Sequence, residues 1–526
     1  MTAVPFEGYA PTIESAPNRR TLTLVSNEQT YPYREGEASL RLFDECFELR
    51  DEALAVKKIQ GEELEEVQEA ARGFLLETGI VDLPVDPEAR IAYYTDYNED
   101  LTRKKILSFV DYLERNHADK VNVVELEATR AFIDSTYAMY QDGIEENRVI
   151  ADADGSFAFV VPARVGRDHA DYGKEVEPPL PALRYVPNEL RAAMMAGLPP
   201  FVIDTYQRSE DGKRGYLVFA PVFEDMRTDL ADVRNPMQYL RKNVNDAVDF
   251  ARRRFGVEVV GLGATLPAIT RYGKEITNPD VITTTGHAGT VDLIRDTVEL
   301  NADGRRLKKI GVLGLGSIGE SIVRVMAEEH PEATIAVYDR QSALIGRATR
   351  DASVLENGEK QIIAMENEKA VIDTSEVVIS AITSQLDLKT LGIQSLEGKI
   401  IVDDSQPGSM TPEQVKELGG TLLWVIGRDV NGRVANRRGY DYATMVDSRT
   451  DVFGCEAEAA SISAYRAELR TRGMTESVIN RITDKIALKG PVTVQHVRYM
   501  SALFTKFGIL PSEPQAFGLS VAARHS

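Results

Sequence analysis

The stretch KKIGVLGLGSIGESIVRVMAEEH, residues 308–330, constrains the fold most. An apolar strand runs into GLGSIG, and an apolar-periodic helix follows at once, which is the setting a dinucleotide fingerprint requires. Gly314 permits the tight turn, Gly316 lets the backbone approach a pyrophosphate, and Gly319 lets helix and strand pack closely. Ser317 and Ile318 complete the loop, and the helix start offers N–H groups and a positive dipole end to phosphate. Asp339 ends the next strand, twenty positions after Gly319. Around this loop KKIGVLGL, ATIAVYDR, VVISAIT, KIIVDDSQ and TLLWVIG read as apolar strands. Segments of helical length or rich in turn residues separate them. Such alternation predicts a parallel sheet with right-handed crossovers.

The remainder is organised around that domain. Residues 1 to about 40 are rich in Pro, Ser, Thr and Asn and read as an irregular lead-in. Residues 40–150 carry amphipathic helical patterns. ADADGSFAFVVPARVG (151–166) holds one strand-like run, and the Pro-rich YGKEVEPPLPALRYVP (172–187) reads as a linker. PPFVIDTYQRSEDGKRGYLVFAPVF predicts two strands joined by a polar turn. NPMQYLRKNVNDAVDFARRRFG predicts a helix ended by Gly256. The expected fold class is α/β. A mostly helical N-terminal extension (1–190) precedes an α/β substrate domain (191–305). A Rossmann-type parallel-sheet domain (306–430) and a helical C-terminal segment (431–526) follow.

Net charge is −21, which argues against nucleic-acid and anionic-membrane partners because phosphates need a basic footprint. Two cysteines build no disulfide framework, and no Cys/His spacing suggests a metal site. No basic-then-apolar leader opens the chain, and no apolar run approaches the ~18 residues that span a bilayer. A soluble, cytoplasmic protein is expected, and a homo-oligomer is compatible with it.

Asp339 favours NAD by accepting a ribose 2′-hydroxyl, whereas Arg340, Arg347 and Arg350 suit the 2′-phosphate of NADP. Thr383 and the turn 404–407 lie at strand C-termini, where they are expected to border the nicotinamide end. The cysteines differ in setting. Cys46, among Leu42, Phe43 and Phe47, reads as a small buried hydrophobe. Cys455, in DVFGCEAEAA, falls in the first turn of a helix that Asp451 can cap and Gly473 can end. The helix dipole favours a thiolate there, while Glu456 and Glu458 oppose it. Glu458, at i+3, shares the cysteine's face and is expected to hold an active-site group or shuttle a proton. The residues alone leave Cys455 open between a packed cysteine and a nucleophile.

FVIDTYQ, FGVEVVGLGA, ITTTGHAGTV, IVDDSQPG, DVFGCEAEAA and SALFTKFGILP occur in this order. Over roughly 195–515 this set resembles long-chain acyl-[acyl-carrier-protein] reductases of the cyanobacterial type. The family's Phe-x-Cys-x-Ala-Glu-Ala setting maps onto Phe453, Cys455, Ala457, Glu458 and Ala459. The resemblance implies NADPH-dependent reduction of a fatty acyl thioester to an aldehyde, with Cys455 as the nucleophile. It implies an acyl-carrier protein as the carrier, and a coenzyme A thioester is equally compatible with the residues. His287 is a candidate oxyanion donor and proton donor, and His496 a structural histidine. Arg241, Lys242 and Arg252–Arg254 form the candidate basic patch for an acidic carrier. The chain departs from the family in its shorter phosphate loop. It also has His287 and Gly289 where the family has Asn and His. Two alternatives remain: a cysteine-independent NAD(P) dehydrogenase of a small hydroxy- or amino-acid, and a nucleotide-sensing module.

Overall fold

The computed structural model describes residues 12–16, 19–23, 45–53, 55–56, 59–145, 155–163, 179–207, 213–223, 226–302, 304–350, 352–382, 384–405, 408–432, 434, 436–437, 450–487, 489–517 and 519–521. The chain is an α/β protein with a parallel Rossmann-like sheet, a second mixed sheet, and helical N- and C-terminal segments. The Rossmann sheet contains Lys309–Leu313, Thr334–Tyr338, Ile362–Ala364, Val377–Ser380, Ile400–Asp403 and Thr421–Trp424. All its pairings are parallel, and the spatial order is third, second, first, fourth, fifth, sixth. That order reverses beside the first strand, so the ligand crevice opens at the C-terminal ends of the first and fourth strands. Ile362–Ala364 is absent from the sequence-based strand set. It is a three-residue edge strand, too short for an apolar pattern to show.

The second sheet runs Asn436–Arg437, Phe201–Gln207, Arg214–Phe223, Gly155–Ala163, Val259–Leu262, Ile282–Thr284. The predicted hairpin is present as the antiparallel pair 201–207 and 214–223. Gly155–Ala163, which the sequence places in the N-terminal extension, is a central strand with parallel neighbours on both sides. Its all-apolar FAFVV suits a strand covered on both faces. Of the predicted linker, 172–178 lies outside the described residues, and the remainder is not an open connection. From Leu180 onward it is buried, with a 3-10 turn at Pro181–Tyr185. There Arg184 and Tyr185 both bond the buried Glu125, the guanidinium at 3.1 Å and the phenol at 2.5 Å. The lead-in, expected to be irregular, contains an antiparallel ribbon of Thr12–Ala16 and Arg19–Thr23.

Two helices join the sheets. His287–Ala302 follows the last strand of the mixed sheet, and Gly454–Thr471 carries Cys455. They cross where both are reduced to backbone. A Cβ on Gly289 would fall 2.8 Å from the Phe504 ring and 3.1 Å from the carbonyl carbon of Gly454. A Cβ on Gly454 would in turn lie 2.7 Å from Gly289 and from Thr290. Farther along the same helix Ala459 fits against Gly261 of the mixed sheet. Neither crossing glycine can take a side chain without moving a helix axis. Gly289→Ala is therefore expected to lose about 1–3 kcal/mol of stability, the usual cost of overpacking. Urea denaturation of parent and variant measures it.

Candidate active site

The nucleotide cradle comes first because its geometry is local. Gly314 has φ +83, and a Cβ there would lie 2.5 Å from the Ala381 carbonyl oxygen. A Cβ on Gly319 would strike the Gly314 carbonyl. Around Gly316, by contrast, no heavy atom lies within 4 Å of the Cβ position, so the backbone there faces open space. Helix Ser317–Glu329 starts from Gly316 with no side-chain cap, leaving its first N–H groups for an incoming phosphate. Asp339 turns back to this loop, accepting from Leu315 N and Gln341 N, each at 2.7 Å. Arg340 stands exposed, 3.6 Å from Glu368, while Arg347 pairs with Glu320. These residues fit the pyrophosphate and adenosine ribose of a nicotinamide dinucleotide. Thr383 lies outside the described residues, as do Gln406 and Pro407 of the predicted turn.

Cys455 is the second residue of its helix, and the cap is Phe453 rather than Asp451. Asp451 is instead buried in a short antiparallel strand, where Arg428 approaches at 3.5 Å. The correction has a simple cause. Glu456, at the third helical position, reaches back to accept from Phe453 N at 3.1 Å, so the helix supplies its own cap. The other oxygen of Glu456 accepts from the Tyr206 hydroxyl. Gly473, at φ +75, stands just beyond the helix end as expected. The Cys455 backbone presses on the Thr-Thr-Gly loop: a Cβ on Gly286 would lie 2.5 Å from Cys455 Cα. Burial, then the charges of Glu456, Asp404 and Glu458, push the thiol well above its ordinary pKa, against the Glu456 N–H that faces the sulfur. Of the two opposing influences at this helix start, burial and carboxylates prevail. The resting group is the thiol.

Glu458 is fully buried and bridges to the other helix. It accepts from Gly289 N at 2.7 Å and from the Thr284 hydroxyl, with the Gly286 and Ala288 N–H groups also turned to it. A carboxylate from one helix thus occupies the N-terminus of its neighbour. Burial pushes its pKa up to about 7, and these donors hold it from rising further.

His287 opens that neighbouring helix. Its Nδ1 lies 3.1 Å from Ser317 Oγ, the first residue of the phosphate-loop helix, and its ring packs edge-on against Tyr272. Burial lowers its pKa to about 4, so the imidazole is neutral at neutral pH. The structure therefore brings Cys455, His287, Glu458 and Ser317 together around the loop that carries Gly286 and Gly289.

Other predicted residues lie elsewhere. Cys46 is fully buried, its thiol donating to the Ala131 carbonyl at 3.3 Å, and burial raises its pKa to about 12. His496 sits in a first helical turn beside its cap, Thr493. The proposed basic patch does not form an open basic face. Arg241 pairs with Glu275 and Lys242 with Asp246, at 2.8 and 2.7 Å. Arg252 donates to the carbonyls of Gly256 and Val257, and Arg254 is buried. Among the described residues no helix is long and apolar enough to cross a membrane, and no three His, Cys, Asp or Glu side chains group to hold a metal ion.

Residues 309–407 match the model of a family described as NADP oxidoreductase, coenzyme F420-dependent. No curated protein matches the chain. Among solved structures, the chain is similar to the NAD-dependent malic enzyme of Thermotoga maritima. The identity is 12%, over 73% of this chain and 93% of that one, at a TM-score of 0.32. L-tryptophan dehydrogenase from Nostoc punctiforme is 13% identical over 68% and 91%, at 0.28. Dipicolinate synthase from Bacillus subtilis is 20% identical over 41% and 66%, at 0.24. The chain spans 61% of the length of the dipicolinate synthase polypeptide of Bacillus halodurans. The class defined by the sheet order, the cradle and the family match is that of oxidoreductases with an NAD(P)-binding Rossmann domain.

The raised pKa of Glu458 gives a signed prediction. Its folded value near 7 lies above the ordinary 4.5, so the folded chain binds more protons than the unfolded one between those values. This group's contribution is full below pH 4.5 and is lost as pH rises to 7. Glu458→Gln has no such slope. Relative to parent it should gain stability from pH 4.5 to 7, by up to about 1.4 kcal/mol per pH unit. Thermal melts of both proteins across that range read the difference.

Proposed function

We propose that this chain reduces a fatty acyl thioester, carried on acyl-carrier protein or coenzyme A, to the aldehyde through an acyl-enzyme on Cys455. One observation carries the proposal: the partly exposed cysteine backs onto Gly286, next to His287, whose ring meets Ser317 at the nucleotide cradle. A nucleophile and a nucleotide site then share one crevice. When bound, NAD(P)H supplies the hydride. NADPH is the proposed form, with exposed Arg340 available to a 2′-phosphate, and NADH is the alternative through Asp339.

The chain's own residues supply the rest. Attack by the Cys455 sulfur exchanges one thioester for another and releases the carrier thiol. Burial keeps His287 neutral, and in this reading its ring N–H is a hydrogen-bond donor to the developing oxyanion. N–H groups at the start of helix Gly454–Thr471 are placed to stabilise an oxyanion. Glu458 keeps the Gly286–Gly289 loop fixed against the cysteine.

A second reading is a cysteine-independent NAD(P) dehydrogenase of a small hydroxy- or amino-acid. The burial and neighbouring carboxylates that favour the thiol form of Cys455 support it. So does the family match, which speaks to nicotinamide chemistry and not to a thioester. Cys455→Ser separates the two. The thioester reading expects aldehyde formation to fall by at least about a hundredfold while NADPH affinity stays within twofold of parent. Full aldehyde production by the serine variant rejects it.

A further inference from the structure

A neutral imidazole carries one N–H, and which nitrogen holds the proton is set by the hydrogen bond that the other makes. The two nitrogens of His287 stand in different surroundings. Nδ1 lies 3.1 Å from Ser317 Oγ. Nε2 points away from Ser317 and has no hydrogen-bond partner among the described residues. The residue is half-buried rather than sealed, and Tyr272 meets its ring edge-on. His287 directly follows Gly286, onto which the Cys455 backbone packs.

Ser317 is placed to decide where the ring proton sits. Its hydroxyl has no partner but His287 among the described residues. Ser321 Oγ donates to the Ser317 carbonyl, at 2.7 Å, and not to the hydroxyl. A hydroxyl can donate or accept, and the imidazole lone pair is the stronger acceptor of the two groups. The pair is therefore best satisfied as O–H to Nδ1. Ser317 is also the first residue of helix Ser317–Glu329, which starts with no side-chain cap. The positive end of that helix lies at Nδ1, where a lone pair is favoured over an N–H. Both effects act in the same direction.

We propose that Ser317 is a positioning residue, whose hydroxyl donates to His287 Nδ1 and holds the ring in its Nε2–H form. The single ring proton then stands on the open side, where it can donate to an oxyanion formed beside Cys455. The backbone N–H of the same serine belongs to the uncapped set at the nucleotide cradle. One residue thus joins the phosphate-binding helix start to the histidine. Without its hydroxyl the buried ring stays neutral, but its proton can settle on either nitrogen.

The consequence for turnover rests on the acyl-enzyme reading, whereas the tautomer is read without any substrate. Parent, Ser317→Ala and Ser317→Thr are prepared with isotopically labelled histidine, and long-range proton–nitrogen NMR spectra are recorded at neutral pH. His287→Asn identifies the His287 signals by their loss. Parent and Ser317→Thr should show the Nε2–H form alone, and Ser317→Ala a mixture of both tautomers. A parent ring protonated at Nδ1 overturns the proposal without recourse to any variant, and so does an alanine variant with the parent's spectrum. With palmitoyl-coenzyme A and NADPH, kcat of Ser317→Ala should fall about tenfold, less than the ~100-fold of losing an oxyanion donor outright, because part of the population keeps its proton on Nε2. KM should stay within twofold of parent, and Ser317→Thr should recover kcat. An unchanged kcat, equal losses in both variants, or NADPH binding weakened more than threefold in Ser317→Ala overturns the positioning role. A tautomer that responds as expected in a protein whose Cys455 takes no acyl group supports the Ser317–His287 pair and tells against the thioester reading.

Discussion

Everything at the crevice depends on how closely two helices cross. Gly289 and Gly454 bring the backbones of 287–302 and 454–471 together, and Glu458 locks the contact by filling the N-terminus of one helix from the flank of the other. Were a side chain placed at the crossing, Cys455 would move away from Gly286, and with it from His287 and the phosphate-loop helix. The crossing lies where the second sheet and the C-terminal helices meet, and His287 carries the contact on to the Rossmann domain through Ser317.

Charge around the joint follows the helix ends. Three helix starts converge there, each with a positive end. Glu456 caps the cysteine helix and Glu458 caps the histidine helix, while Ser317–Glu329 alone begins with no side-chain cap. The uncapped start is the one a pyrophosphate requires. Burial first, and then the charges of Glu456, Asp404 and Glu458, oppose ionisation of Cys455, so the thiol form is favoured. The proposed acyl transfer then depends on proton transfer within the site rather than on a standing thiolate.

The cradle was legible in the sequence because its parts are consecutive: strand, Gly314, Gly316, Gly319 and helix lie within one short run. Cys455 was legible as a helix-start residue for the same reason. Glu458 could be placed beside it but not explained, because its partner Gly289 lies 169 positions away and only the folded crossing joins them. Strand 155–163 went to the wrong side of a boundary because parallel pairing leaves no local signature. The Pro-rich 172–187 segment read as a linker because proline signals a break; the burial of its described part, where Arg184 meets Glu125 of a distant helix, has no local signature. Asp404 sat in a segment marked as a border of the site.

The central claim is that Cys455 carries the acyl group at the mouth of the nucleotide cradle. Intact-mass measurement after mixing the parent protein with an acyl thioester, first without reductant and then with NADPH, tests it most directly. The account predicts one acyl adduct, located on the peptide containing Cys455, that forms without NADPH and is discharged as aldehyde when NADPH is added. Aldehyde formation with no adduct at Cys455 at any stage would contradict it.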